Sequence, residues 1–236
     1  MEEVPLLGLP KDGFKQNNHL FVAILLVLVI VLLYSLKNAS SPVSVPLVAS
    51  TNPTEENSRV ISYVPADIDD PAELVAEVRA RRGGTLLNLD RMLLHSAPVA
   101  RGWNQLFGEI RGSNLSIDPK LRELIMCGVA VLNHAEYEFF QHEPFFRQAG
   151  ATDEQVIALR KLGQPDFPSS LFTSLERMVA TLTLELTRNV LAPDELMYSL
   201  KEELGEQGVV ELVTVIAAYN MVSRFLVALK VAPESS

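Results

Sequence analysis

The residues best suited to chemistry in this chain lie between Arg122 and Gly150. His134, Glu138 and His142 follow one another at intervals of four, so on a continuous helix they would share one face. A carboxylate one turn from an imidazole can fix its tautomer, and the two groups can then work as an acid–base pair. Glu123 falls in an apolar stripe of the same window and needs a polar partner if it is buried.

The residues alone leave three interpretations of this pattern open. The His-x3-Glu-x3-His spacing could ligate a metal ion, with Glu123 as a further ligand. The same side chains could also form a solvated helix face, or a histidine–glutamate pair with a structural role. Because the spacing is a weaker metal signal than HExxH, we predict no bound metal and no cofactor, while acid–base use and a structural role both stay open at this point.

Helix start and stop signals surround this window. Asp118 before Pro119 is an N-cap with proline at the first helical position, and Thr152 with Gln155 forms a capping box. No stretch alternates polar and apolar residues over a useful length. The predicted helices cover about 71–82, 89–95, 98–111, 119–132, 136–148, 153–162, 170–188, 193–204 and 208–230. The predicted fold class is therefore all-α.

A single segment explains the slightly positive mean hydropathy of +0.18. Residues 20–36 are apolar and carry no charge, and their length is at the short end of what spans a bilayer. We predict an uncleaved single-pass anchor, although a signal peptide cleaved near residues 39–41 is the competing interpretation. Lys11 and Lys15 before the segment outnumber Lys37 after it, which favours a cytosolic N-terminus and a lumenal or extracytosolic domain.

The predicted organisation has four parts. They are a polar tail over 1–18, a transmembrane anchor over 19–37, a flexible linker over 38–69 and a helical domain over 70–232. Two Asn-x-Ser sequons, at Asn38 and Asn114, are candidates for glycosylation. The single cysteine, Cys127, excludes an internal disulfide and a CxxC site. The net charge of −9 provides no electrostatic footprint for nucleic acid, so none is expected as a partner.

Short motifs along the predicted domain carry a family resemblance. In chain order they are Leu93-Leu94-His95-Ser96-Ala97-Pro98 with Trp103, Arg122-Glu123, Tyr137-Glu138, His142-Glu143, Ala149-Gly150-Ala151-Thr152 and Tyr219-Asn220-Met221. Together they resemble the carboxymuconolactone decarboxylase / alkylhydroperoxidase D-like family over about 71–231. The resemblance implies an alkylhydroperoxidase D-like helical bundle behind the anchor. It also implies a homo-oligomer, a trimer or a multiple of one.

The same resemblance bears on the type of chemistry. In the family's peroxidases a glutamate is followed by two redox cysteines and then by a histidine. Those four places hold Glu123, Ala135, Glu138 and His142 in this chain. Since thiol peroxidase chemistry needs a thiolate and a resolving thiol, the resemblance implies the decarboxylase-like branch instead.

We therefore expect a membrane-anchored enzyme that decarboxylates a small organic acid or lactone, or performs related lyase or isomerase chemistry on it. The resemblance makes His142 the general acid or base, oriented by Glu138 or Glu123. The substrate-binding candidates are Tyr137, His95 and His134. Two alternatives remain: a non-catalytic oligomeric helical protein, and a metal-binding member of the same fold.

Overall fold

The computed structural model describes residues 59–234, and every regular element in this range is helical. Eight α-helices follow in chain order: α1 Ala72–Arg81, α2 Asn88–Leu93, α3 Ala97–Arg111, α4 Pro119–Leu132, α5 Glu136–Gln148, α6 Asp153–Leu159, α7 Ser174–Arg188 and α8 Asp194–Ala228. A short 3-10 helix, Ser169–Leu171, precedes α7. No strand occurs within the described range, so the all-α prediction is confirmed there. The predicted tail 1–18 and anchor 19–37 lie outside the described residues.

Side-chain caps set the starts of three central helices. The Asp118 carboxylate accepts a hydrogen bond from the Lys120 N–H at 2.6 Å and opens α4, as the sequence predicts. Thr152 and Gln155 form the predicted capping box of α6. A further capping box, of Thr173 with Glu176, opens α7 at Ser174. The predicted start of this helix at residue 170 is therefore wrong, because the Thr173 cap takes precedence over the preceding 3-10 turn.

The last helix consists of two pieces that meet at a break. Gly205 has φ of 70°, a conformation that interrupts α8 and that glycine adopts readily. The sequence predicts separate helices at 193–204 and 208–230, and this division is confirmed. Within residues 59–234, α8 is the one helix long and apolar enough to cross a membrane. Its residues Leu212 and Ile216 are fully buried, so the second piece forms part of the helical core.

The centre of the core is α4, which packs against α5, α7 and α8. Its residues from Leu124 to Ala130 are almost completely buried, which explains why this stretch is apolar on all sides. At Gly128 a β-carbon would lie 3.1 Å from the Leu162 side chain and 3.3 Å from that of Thr183. The absence of a side chain there lets α7 approach α4 closely.

Both ends of the described chain contact this bundle. The Arg91 guanidinium donates to the Val64 carbonyl at 2.8 Å, and Tyr63, Val64 and Ile68 pack against the core. The Tyr63 hydroxyl accepts a hydrogen bond from the Ala232 N–H at 2.9 Å. Part of the predicted flexible linker over 38–69 is thus attached to the domain, because its aromatic and aliphatic side chains bury apolar surface.

Candidate active site

A hydrogen-bonded chain of three buried side chains lies at the meeting point of α4, α5 and α8. His142 Nδ1 is 2.7 Å from Glu123 Oε2, and His142 Nε2 is 3.1 Å from the Tyr219 hydroxyl. A carboxylate oxygen accepts, so Nδ1 carries the proton in the neutral ring and Nε2 presents its lone pair. The Tyr219 hydroxyl then donates to Nε2. Proton donation therefore runs in one direction, from Tyr219 through His142 to Glu123.

Burial governs the protonation states of this chain. The exposed fractions are 4% for His142, 5% for Glu123 and 2% for Tyr219. Burial lowers the pKa of His142, and the bond and charge of Glu123 oppose that shift only in part. Burial also raises the pKa of Tyr219 far above its usual value. At neutral pH the ring is neutral and the phenol keeps its proton.

A second buried carboxyl group lies one helical turn before His142. Glu138 Oε2 accepts a hydrogen bond from Ser223 Oγ at 2.8 Å, whereas its Oε1 is buried without any partner. Burial raises the pKa of Glu138 well above its usual value, and the Ser223 bond opposes this only weakly. Burial therefore favours the protonated form of Glu138, and one of its oxygens is available to a ligand.

These polar groups line a narrow inner cavity. His142, Tyr219 and Glu138 form part of its wall, and Trp103 and Phe107 form an aromatic side. Trp103 and Phe107 have ring centroids 4.7 Å apart, and the Phe107 ring meets Tyr219 edge-on at 5.8 Å. The inner space open to water is about 30 Å³, room for roughly two molecules. A wider outer recess of about 450 Å³ shares several of the same lining residues.

Three arginines lie where the inner cavity meets the outer recess. Arg82 and Arg81 form ion pairs with the buried Asp90, at 2.9 Å and 3.5 Å. Burial lowers the pKa of Arg81 to about 10, so it stays cationic at neutral pH. Arg111 lies over the Phe145 ring at 5.4 Å and has no carboxylate within ion-pair distance among residues 59–234. The mouth of the cavity therefore has more positive than negative charge.

The structure brings only some of the predicted site residues together. Glu138, His142 and Tyr137 line the cavity, although the Tyr137 hydroxyl donates to Glu234 at 3.0 Å. Glu123 lies behind His142 and is bonded to it. The two other substrate-binding candidates, His95 and His134, lie elsewhere.

His134 and His95 do not line this cavity. His134 has φ of 55° and lies in the turn between α4 and α5, where the Ala135 N–H bonds back to the Ala130 carbonyl at 2.8 Å. This Schellman-type ending breaks the helix, so the shared face expected for His134, Glu138 and His142 exists only for the last two. His95 is exposed, and its Nε2 donates to the Ser62 carbonyl at 2.7 Å.

Several residues of the site are absent from the predicted set. Tyr219 and Ser223 are two buried polar residues four apart in the apolar half of α8, and that spacing is a signal that could have revealed them. The arginines and Gln141 carried no such signal, because polar residues of this kind are usually exposed.

The described residues contain neither a cluster suited to a metal ion nor a cysteine suited to thiolate chemistry. Within residues 59–234, no group of three or more His, Cys, Asp or Glu side chains is placed to hold a metal ion. The displacement of His134 removes one ligand of the proposed set. Cys127 is fully buried, and burial raises the pKa of its thiol well above the usual value, so it is poorly suited to form a thiolate.

Comparison with known proteins finds a family model that matches the segment holding most of this site. Residues 97–167 match the Carboxymuconolactone decarboxylase family, a range that includes Glu123, Glu138 and His142. The predicted family resemblance is confirmed. The uncharacterized protein YdfG of Bacillus subtilis is 28% identical over 114 residues, which are 48% of this chain and 76% of YdfG.

Solved structures show the alkylhydroperoxidase D-like fold. An uncharacterized peroxidase-related protein from Silicibacter matches with a TM-score of 0.64 and 14% identity, covering 78% of this chain and 95% of its own. The alkylhydroperoxidase AhpD core of a peroxidase-related protein from Ralstonia eutropha gives 0.59 at 14% identity, with 73% and 87% covered. A cysteine-to-alanine variant of the debrominase Bmp8, in complex with 2,3,4-tribromopyrrole, gives 0.61 at 16%, with 75% and 94% covered. At these identities the likeness establishes the fold.

Proposed function

We propose that this carboxymuconolactone decarboxylase-like domain performs acid–base decarboxylation, or related lyase chemistry, on a small organic acid or lactone. The observation that carries the proposal is the buried Tyr219–His142–Glu123 chain beside the cavity. Such a chain holds one imidazole in one tautomer and gives it a defined proton donor. Those are the properties that a general acid or base needs.

The reaction divides into a bond cleavage and a proton transfer. When the carboxylate leaves as carbon dioxide, its bonding electron pair stays on the neighbouring carbon as an enolate or dienolate. A proton then goes to that carbon. The His142 ring takes it up from solvent as a transient imidazolium, which Glu123 stabilises at Nδ1, and passes it on from the Nε2 side, next to Tyr219, as it returns to the neutral form. The cavity has an aromatic wall, which favours conversion of a charged carboxylate into neutral carbon dioxide.

The charge of the outer recess supports an anionic substrate. The Arg111 guanidinium lies at the cavity and is free of ion pairs within residues 59–234. A guanidinium can hold a carboxylate through two parallel hydrogen bonds. Glu138 has Oε1 unpartnered, and in its protonated form, which burial favours, it can donate to a lactone or enolate oxygen without repelling it.

Thiol peroxidase activity does not form part of the proposal. The places of the two redox cysteines are taken by Ala135 and Glu138, and the remaining thiol, Cys127, is buried in α4. A peroxide must meet an accessible thiolate. Ala135 and Glu138 have no thiol, and the thiol of Cys127 is buried.

The cellular setting is proposed from the chain outside the described residues. We retain the single-pass anchor over 20–36 with the C-terminal domain on the lumenal or extracytosolic side, supported by the uncharged apolar run. We also retain a homo-oligomer, supported by exposed apolar side chains on α8 such as Val210 and Met221. Light scattering of the purified protein tests the second point.

Replacement of His142 by Ala tests the chemistry directly. We expect turnover of a responsive carboxylated lactone or β-keto acid to fall by roughly 10²–10⁴-fold, the usual contribution of a general acid or base. Carbon dioxide release from a panel of such acids measures it. The exposed His95→Ala and His134→Ala variants are matched controls and should stay close to wild type. Unchanged turnover in His142→Ala would overturn the assignment.

A further inference from the structure

The side chain of Glu234, beyond the end of α8, is bound by two residues of the cavity wall. The Tyr137 hydroxyl and the Asn88 N–H donate to its Oε1, at 3.0 Å and 2.8 Å. The Gln141 amide donates to its Oε2 at 2.6 Å. Both oxygens of one carboxylate are thus bound by three donors from two separate parts of the chain.

Two of these donors also belong to the inner cavity. Tyr137 and Gln141 line it, and they stand on α5 beside the two residues that carry its acid–base groups, Glu138 and His142. Tyr137 is 5% exposed, and burial together with Glu234 raises the pKa of its phenol, so it remains a donor at neutral pH. A carboxylate held by these groups lies next to the catalytic side chains.

The inner cavity is too small for an organic acid as it stands. Its space of about 30 Å³ holds roughly two water molecules, whereas ligand pockets are typically on the order of 300–1,000 Å³. Some part of the wall must move before a substrate can reach His142. Glu234 is suited to move, because Pro233 before it is exposed while Val231 is buried and Ala232 is tied to Tyr63.

We propose that Tyr137, Gln141 and the Asn88 N–H form a carboxylate-binding subsite, which Glu234 fills until the carboxylate of a small organic acid displaces it. Rotation of the backbone after Pro233 releases Glu234 and leaves residues 231–233 in place. The subsite itself is independent of the chemistry proposed above; only its use by a substrate rests on that function. Glu234 then acts as an internal competitor that occupies these donors in the absence of a ligand.

Propionate is the probe of choice, since it reproduces the Glu234 side chain as a free molecule. Trp103, the only tryptophan in the sequence, lines the cavity, so its fluorescence can report binding to the full-length protein in detergent. A tethered competitor acts at a millimolar effective concentration or above, so we expect Glu234→Ala to lower the propionate dissociation constant by about tenfold or more. Adding Tyr137→Phe to that variant should raise the propionate dissociation constant again by about tenfold, because a hydrogen bond to a charged group is lost.

A matched control separates the loss of the Glu234 carboxylate from a loosening of residues 231–234. Tyr63→Phe removes the acceptor of the Ala232 N–H and leaves Glu234 and its three donors intact. It should change propionate binding by about twofold at most, since a single neutral hydrogen bond is lost. Neutral propanamide should not gain affinity in Glu234→Ala, because the released donors recognise a carboxylate.

Two results would overturn the subsite. One is an equal propionate dissociation constant, or no binding, in wild type and Glu234→Ala. The other is an equal gain from Tyr63→Phe or for propanamide. If Glu234→Ala fails to fold, Glu234→Gln keeps the side-chain size and should give a smaller gain in the same direction. Because binding is read without turnover, failure here and failure of the His142→Ala test are distinguishable.

Discussion

Two buried glutamates near the same histidine have opposite surroundings. Glu123, on α4, is bonded through Oε2 to His142 Nδ1 at 2.7 Å. Glu138, on α5, receives only the Ser223 hydroxyl at 2.8 Å, and its Oε1 has no partner. Both are at most 5% exposed, so burial alone does not distinguish them. The difference lies in whether an imidazole N–H is within reach.

This contrast assigns different roles to two residues of the same type. Glu123 orients His142 and can balance a positive ring, which a carboxylate does well. Glu138 has no cation to stabilise its charge, so burial favours its protonated form, which can donate a hydrogen bond. Two carboxyl groups in different environments, one bonded to a histidine and one without such a partner, can take different roles in one site.

The largest effect is expected on the Glu123 side. Glu123→Gln keeps the shape of the side chain and removes the charge that stabilises a protonated His142 ring. We expect turnover to fall by about 100-fold, because loss of a group that orients a working histidine commonly costs tenfold to 100-fold or more. The NMR pKa of His142 should also fall, since the bond and charge of Glu123 raise it. Glu143→Gln, on the half-buried part of α5, is the control, and an equal loss there would argue against the role of Glu123.

On the Glu138 side, the expected signature is a pH dependence of stability. The folded pKa of Glu138 is raised above 4.5, so the unfolded state loses this proton first as the pH rises. Stability of the wild type is therefore lost from about pH 4.5 upward, by about 1.4 kcal/mol per pH unit until the folded group ionises. Glu138→Gln removes this loss. Its stability advantage over wild type should grow with pH in urea unfolding.

His142 contributes a pH dependence of the opposite sign. Its folded pKa is lowered from 6.5, so stability from the neutral ring is present above that value and is lost as the pH falls below it. Comparing Glu138→Gln with wild type at each pH cancels the His142 contribution, since both proteins keep that residue. A constant difference across the pH range would show that Glu138 is ionised in the folded protein.

How much of this contrast the sequence could predict depends on helix continuity. The spacing of Glu138 and His142 placed them correctly on one face, and the caps at Asp118 and Thr152 placed their helices. The same spacing failed for His134, because a histidine with positive φ ends α4 where glycine would be usual. Which glutamate reaches His142 depends on how α4 packs against α5, and one sequence does not specify that geometry.

Tyr219 also lay beyond the sequence interpretation. It belongs to the motif that carried the family resemblance, yet its contact with His142 spans 77 positions and depends on α8 packing over the site. Tyr219→Phe keeps the edge-on ring contact with Phe107 and removes the donor to Nε2. We expect an approximately tenfold loss of turnover, about 1.4 kcal/mol of transition-state free energy, with little change in substrate KM. A rise in KM with kcat unchanged would make Tyr219 a substrate contact instead.

The smallest effect is expected at Ser223, and it tests the contrast most finely. Ser223→Ala removes the one hydrogen bond of Glu138 without touching Glu123 or His142. We expect a destabilisation of about 1 kcal/mol at low pH, because a buried hydrogen bond is lost. The Ser223 bond lowers the pKa of Glu138, so its removal should raise that pKa further and extend the pH range over which stability falls. In the Glu138→Gln background this extension should disappear, since no carboxyl group remains to titrate, whereas its persistence would place the titrating group elsewhere in the core.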